Sequence, residues 1–223
     1  MKTSRSPYEQ ILSRFGKPTE LVPNVVRVLQ QLYAFHHKTL AADLKNALEY
    51  ITPPEEKELA IAALSLYEEN VISICENCQN PSLYLKALKF IRSPDRVKAL
   101  SILTQKLVNN LDDVDIQVSI ASALDMINFF SVEDARIQFV KLKPQEKAQI
   151  TQIINQLYQN QEKRASALLA MPTCGNRESL GLLEADSQIL NEPYLSSPTT
   201  GEGYLLFDEA RKRAKDFLNR CLN

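Results

Sequence analysis

Apolar residues in this chain recur at intervals of three and four, the spacing that lines one face of an α-helix. Leu40, Leu44, Leu48 and Ile51 make one stripe, Val97, Leu100, Leu103, Leu107 and Leu111 a second, Ile116, Ile120, Leu124 and Ile127 a third, and Ile150, Ile153, Ile154 and Leu157 a fourth. Val28, Leu32 and Phe35 form a further face near the N-terminus, and Phe207, Ala210, Ala214, Phe217, Leu218 and Cys221 one near the C-terminus. Each stripe predicts a helix with one side in a core.

Helix starts are marked by a capping residue followed by proline, which loses nothing at the first helical position because that amide would be unpaired anyway. Ser6, Pro7 and Glu9 predict a capping box for a short helix that Gly16 ends, and Thr52, Pro53 and Glu55 predict a second. Asn80 with Pro81, Ser93 with Pro94, Ser131 with Glu133 and Asp134, and Pro144 mark four more. No glycine lies between Gly16 and Gly175. Without glycine, the positive-φ turns of hairpins and the loops that cradle phosphate are disfavoured over that whole run. The pattern predicts an all-α protein of about eight to ten helices with short connectors, either an antiparallel bundle or a short α-solenoid.

After Met171 the character changes, with Pro172, Gly175, Gly181, Pro193, Pro198, Gly201 and Gly203 crowded together. We therefore expect a helical core domain over residues 1–170, an irregular strap or linker over 171–203, and an amphipathic helix over 204–223. Leu180, Leu182, Leu183, Ile189, Leu190, Tyr194 and Leu195 favour a strap lying on the surface over a free tether. The last helix has Asp208 and Glu209 at its start and Arg220 at its end, on the sides the helix dipole prefers. Its apolar face must be buried, either on the chain's own bundle or in a groove of a partner.

Composition narrows the function. The 223 residues are 44% hydrophobic and 24% charged with a formal net charge of −1, enough to build a core without disulfides or metal. Near-zero charge argues against nucleic acid as a partner. The basic groups Lys86, Lys89, Arg92, Arg96 and Lys98, and Arg211, Lys212, Arg213 and Lys215, are interleaved with acids or apolar residues, as on solvated helix faces. No apolar run approaches the ~20 residues of a membrane span, no signal-peptide pattern opens the chain, and four unevenly spread cysteines fit a reduced compartment, so a cytoplasmic protein is expected.

Residues 112–127, Asp-Asp-Val-Asp-Ile-Gln-Val-Ser-Ile-Ala-Ser-Ala-Leu-Asp-Met-Ile, resemble the second helix of a HEAT-type repeat: an acidic start, spaced aliphatics, then a run of small residues and leucine. The stretches from Glu56 to Leu66 and from Pro94 to Leu103 resemble it more loosely, and Gln117 stands where the family usually has arginine. Implied repeats would begin near residues 53, 81, 113 and 144. Over Pro53 to Leu169 the resemblance implies a small α-solenoid that binds other proteins along a curved face.

Candidate chemistry is sparse. Cys75-Glu-Asn-Cys78 has the spacing of half a zinc site, and His36, His37, Cys174 and Cys221 are the other soft ligands available; zinc, a redox role and idle thiols all remain open. His36 and His37 are adjacent, so on a helix they diverge by about 100° and cannot both face one site. Asp112, Asp113 and Asp115 fail as a calcium loop, because neither register puts glycine sixth and glutamate twelfth; helix capping explains them. Glu55, Glu56 and Glu58 occupy a first turn, and no nucleophile elbow, zincin pair or phosphate loop occurs.

These readings leave no catalytic residues and no cofactor. The expected function is a non-enzymatic protein–protein interaction module: an adaptor, chaperone-like binder or accessory subunit of a larger assembly. Phe207, Phe217 and Leu218 are the candidate partner anchors, with Arg211 and Arg213 at the rim. The helix carrying Tyr84, Lys86, Lys89 and Phe90 is a second candidate surface, equally readable as core on one side and solvent on the other. The alternatives are an enzyme or small-ligand binder with a scattered site, and a helical protein stabilised by zinc on Cys75 and Cys78.

Overall fold

The computed structural model describes residues 5–17, 21–91, 94–128, 131–186, 195–196, 204–205 and 207–223. Apart from one two-residue antiparallel ladder, the regular elements among these residues are helical, so the protein is all-α. Thirteen α-helices and three 3-10 turns occur among the described residues, more than the eight to ten expected. The chain parts into two compact units, Met1–Arg96 and Val97–Asn223, a division that the sequence reading did not place.

The first unit holds α1 (Pro7–Leu12), α2 (Asn24–Phe35), α3 (Lys38–Asn46), α4 (Pro54–Tyr67), α5 (Val71–Asn77) and α6 (Pro81–Leu88). Helix α4 is central and packs against α2, α3, α5 and α6. Its buried Ala60, Ala62, Ala63, Leu64 and Leu66 wrap more than one face, which suits a helix surrounded by others. The Ser6 capping box forms as the sequence predicts: Ser6 Oγ accepts from the Glu9 amide at 3.2 Å, and Glu9 Oε2 accepts from the Ser6 amide at 2.9 Å. Asn80 caps α6 through the Leu83 amide at 3.2 Å.

Two expectations fail in this unit. Thr52 caps nothing: Pro54 forces Pro53 into an extended conformation (φ −68°, ψ 120°), so α4 starts at the second proline rather than the first. Phe35 is 61% exposed although Val28 and Leu32 beside it are buried. The reason is His36, which closes α2 in the left-handed region (φ 50°, ψ 40°) and ends the face one residue beyond Phe35.

The second unit holds α7 (Arg96–Lys106), α8 (Val114–Asn128), α9 (Val132–Val140), α10 (Pro144–Gln159), α11 (Arg164–Cys174), α12 (Arg177–Ala185), the strands β1 (Leu195–Ser196) and β2 (Tyr204–Leu205), and α13 (Phe207–Leu222). Here α11 is central, against α8, α9, α10 and α13. Of the predicted stripes, Val97, Leu100, Leu103 and Leu107, Ile116, Ile120, Leu124 and Ile127, and Ile150, Ile153, Ile154 and Leu157 are buried, while Leu111, beyond the end of α7, is half-buried. Ser131 Oγ caps α9 at the Asp134 amide (3.1 Å), and Asp113 Oδ1 accepts from the Asp115 and Ile116 amides at the start of α8, the capping role expected of those acids.

The strap expected from residue 171 is interrupted by structure. Helix α11 runs to Cys174, and α12 follows after a break of two residues. Asn176 and Ser179 make a reciprocal cap, with Asn176 Oδ1 accepting from the Ser179 amide at 3.0 Å and Ser179 Oγ from the Asn176 amide at 3.1 Å. Pro172 and Gly181 both lie inside helices, where composition alone reads them as breakers. Farther on, Leu195 pairs with Leu205 and Ser196 with Tyr204, so α13 starts at Phe207 rather than 204. The Ser93 cap, and Ile189, Leu190 and Tyr194, lie outside the described residues.

Candidate functional site

The densest polar organisation among the described residues surrounds the end of α11. The helix stops at Gly175, so carbonyls at its end have no amide of the helix ahead of them and take donors from elsewhere. They come from three other helices. Asn128 Nδ2 of α8 donates to Leu169 O at 2.8 Å, and Thr151 Oγ1 of α10 to Cys174 O at 2.6 Å. Arg136 Nη1 of α9 donates to both Thr173 O (2.9 Å) and Gly175 O (2.6 Å). Burial pulls the Arg136 guanidinium below its ordinary pKa, yet arginine remains a cation at any physiological pH. Gly175 is required by close approach: a Cβ there would stand 2.7 Å from Met171 O and 2.9 Å from Leu218 Cδ1.

A second cluster is centred on Asp186 at the end of α12. Tyr158 Oη donates to Asp186 Oδ2 at 2.7 Å, and Arg164 Nη1 reaches the same oxygen at 3.3 Å while its Nε donates to Tyr158 O at 3.1 Å. The Arg164 guanidinium also lies over the Tyr158 ring, 5.4 Å from its centroid. From α13, Arg211 Nη1 donates to Asp186 O, and its Nη2 to Asp208 Oδ1 at 2.9 Å. The Tyr158 hydroxyl is held above its usual range, by burial first and then by the bond to Asp186. Two guanidinium charges face two carboxylates, so the cluster carries no surplus charge for an anionic ligand. Its effect is to clasp α10, α11, α12 and α13 together.

The clasp decides where the sequence-predicted anchors stand. Phe207, Phe217 and Leu218 are buried on the face of α13 that packs against α11 and α12. Arg211 is engaged with Asp186 and Asp208, its side chain 18% exposed. Arg213 alone of the five stands at the surface, where it pairs with Glu209. Of the two readings of the last helix, the structure therefore has the apolar face docked on its own chain.

The other candidates do not converge on a site. Among the described residues no group of three or more His, Cys, Asp and Glu side chains could hold a metal ion. His36 caps α2 and His37 precedes α3, its ring 5.8 Å from that of Phe35. Cys75 is buried and Cys78 half-buried, and Cys78 Sγ donates to Cys75 O at 3.1 Å. Arg96 is buried with its guanidinium 5.5 Å from the Tyr33 ring centroid, and Lys89 Nζ lies 4.9 Å from that of Phe90. Burial, then the neighbouring Lys86, pulls the Lys89 ammonium below its ordinary pKa. On that helix Leu85, Ala87 and Leu88 face the core while Lys86 is exposed, the core-and-solvent arrangement weighed from the sequence.

What the surface does offer is apolar. In the first unit Leu21, Phe35, Tyr50 and Ile61 are exposed; in the second, Val108 and Val114 flank the turn before α8, and Ile137 and Val140 stand one helical turn apart on α9, each 48% exposed. No helix among the described residues is long and apolar enough to cross a membrane. Comparison with known protein families, curated proteins and solved structures found no match for this chain.

Proposed function

We propose that the chain is a non-enzymatic interaction module of the cytoplasm, an adaptor, chaperone-like binder or accessory subunit that works by presenting helix surfaces to other proteins. One observation carries this reading. The strongest polar constellations, around Arg136 and around Asp186, are engaged in holding helices together, while Ile137 and Val140 form an exposed apolar pair on α9 that no described element covers. An exposed apolar pair on one helix face gives a partner protein apolar surface to bury. The α13 face belongs to the module's own core, so its contribution to a partner would be limited to its outer side, where Arg213 lies.

The test is affinity purification of the tagged full chain from its native cell at moderate salt, beside the double variant Ile137→Glu/Val140→Glu. Stoichiometric co-elution of defined proteins with the wild type, lost in a variant whose circular dichroism is unchanged, is the expected result. Recovery of the wild type alone, together with stabilisation by several degrees from one compound in a ligand-screen thermal shift, would overturn the proposal in favour of a small-ligand site.

A further inference from the structure

Helix α9 has two opposite faces. Ala135 and Phe139 are buried in the core, and Arg136 holds the helix in that orientation through Thr173 O and Gly175 O. At about 100° of turn per residue, Glu133, Asp134, Ile137, Val140 and Lys141 span about 120° of arc with Ile137 at its middle, directly away from the buried pair. Lys141 follows the last residue of α9 with its backbone still right-handed (φ −77°, ψ −14°), so it continues the face. All five residues are exposed, and among the described residues no ion pair engages Glu133, Asp134 or Lys141. We infer that this face is where a second copy of the chain docks, the two α9 helices lying antiparallel about a two-fold axis beside Ile137. The inference rests on the reading of α9 as a contact face and names one occupant for it.

The order of residues along the face is self-complementary, as a two-fold contact demands. Acids stand at its N-terminal end, the apolar pair follows, and a base closes its C-terminal end. Asp134 and Lys141 are seven residues apart, nearly two full turns, so they lie on the same edge of the face with Ile137 midway between them along the helix. When two such helices run antiparallel, each edge meets its own counterpart in reverse order. Asp134 of each copy therefore comes beside Lys141 of the other, which gives two ion pairs, one on each side of the axis. On the other edge Val140 of each copy meets the aliphatic stem of Glu133. Ile137 packs against Ile137 at the centre, where apolar surface leaves water.

Charge and size set the character of the association. A parallel pairing would place Asp134 beside Asp134 and Lys141 beside Lys141, so the charges select the antiparallel arrangement. An unrelated partner has only to complement the face; equal spacing of opposite charges about a central apolar residue is the further condition that a copy of the same chain imposes. Nine helical residues make a contact about 14 Å long, short for the roughly 1,200 Å² at which stable interfaces begin. The dimer is therefore reversible, forms as concentration rises, and weakens as salt screens its two exposed ion pairs.

The experiment is sedimentation of the purified full chain at low salt over a wide concentration range. The expected result is a mean mass that rises from that of one chain, 25.3 kDa, towards twice that value. Asp134→Lys alone and Lys141→Glu alone set like charges side by side and should lose the dimer. Mixed in equal amounts they should regain it, because each variant then offers the charge that the other lacks. Ile137→Glu should stay monomeric with unchanged circular dichroism, and decides the matter where a charge variant does not fold. The inference is overturned if the wild type keeps the mass of one chain at every concentration, if Ile137→Glu dimerises as the wild type does, or if the mixture of folded charge variants stays monomeric. A wild type that never dimerises, yet captures proteins from its native cell that Ile137→Glu/Val140→Glu does not, would remove this occupant and leave α9 a contact face.

Discussion

Both compact units cap helix starts with neighbours in sequence, but the second adds a set of buried polar side chains that reach distant backbone, and the first has almost none. In Met1–Arg96 Ser6 and Asn80 cap α1 and α6 locally at exposed positions, Glu56 of α4 accepts from the Val25 amide in the first turn of α2 at 3.3 Å, and Arg96 is the one buried polar residue described. In Val97–Asn223 the buried polar set comprises Ser101, Thr104, Asn128, Thr151, Asn155, Thr173 and Ser179, and several of these bond to groups more than twenty residues away. Local caps are worth little individually and fail independently. Interior bonds to a central helix fail at higher cost, because each loss strands a carbonyl away from water.

That contrast can be broken most directly at Arg136. Substituting Arg136→Ala should lower the unfolding free energy by about 3 kcal/mol, since the Thr173 and Gly175 carbonyls lose their donor; urea denaturation of the full chain reads it, and a loss no larger than a surface cap's would remove the distinction. Next comes Gly175→Ala, expected to cost about 2 kcal/mol from overpacking against Met171 O and Leu218. Gly181→Ala is its control, because a Cβ at 181 meets nothing within 4 Å.

A pH-dependent difference sharpens the comparison further. Burial pushes the half-buried Asp125 carboxyl of α8 up to about 7. Its folded pKa exceeds the unfolded value, so the folded state holds the proton more tightly; that stability is present at acid pH and is lost as pH rises through about 7. Asp125→Asn should therefore raise Tm by a few degrees at pH 8 and leave it unchanged near pH 3.5. In the first unit, Ser6→Ala should cost only about 1 kcal/mol. Gly181→Ala itself should stabilise by somewhat less, about 0.8 kcal/mol, measurable as a small rise in Tm.

Much of the helical organisation was legible because its signals act over a few residues. Most positions of the apolar stripes, the caps at Ser6, Asn80 and Ser131, and the capping role of Asp113 follow from spacing, while Phe35 and Cys221, placed on apolar faces by the same spacing, are exposed. Where reading failed, a neighbour within one or two residues had reversed the signal. Pro54 displaced the start of α4, His36 ended α2 beneath Phe35, and the Asn176–Ser179 cap restarted a helix in a stretch that proline and glycine marked as irregular. Of the candidate site, the five α13 positions were identified as one apolar face with a basic edge, but Arg136, Tyr158 and Asp186, which determine how the surrounding helices are held, carry no motif.

By itself, then, the sequence determined that this chain is all-α and where most of its helices begin, because hydrophobic period and capping are properties of a few consecutive residues. Only the tertiary structure decided that the chain parts at Arg96, that the face of α13 is buried on α11 and α12, and that Arg136 reaches carbonyls 37 and 39 residues away. Those outcomes depend on which surfaces meet once the helices exist, and an arginine destined for a buried carbonyl has the same local pattern as one left in water.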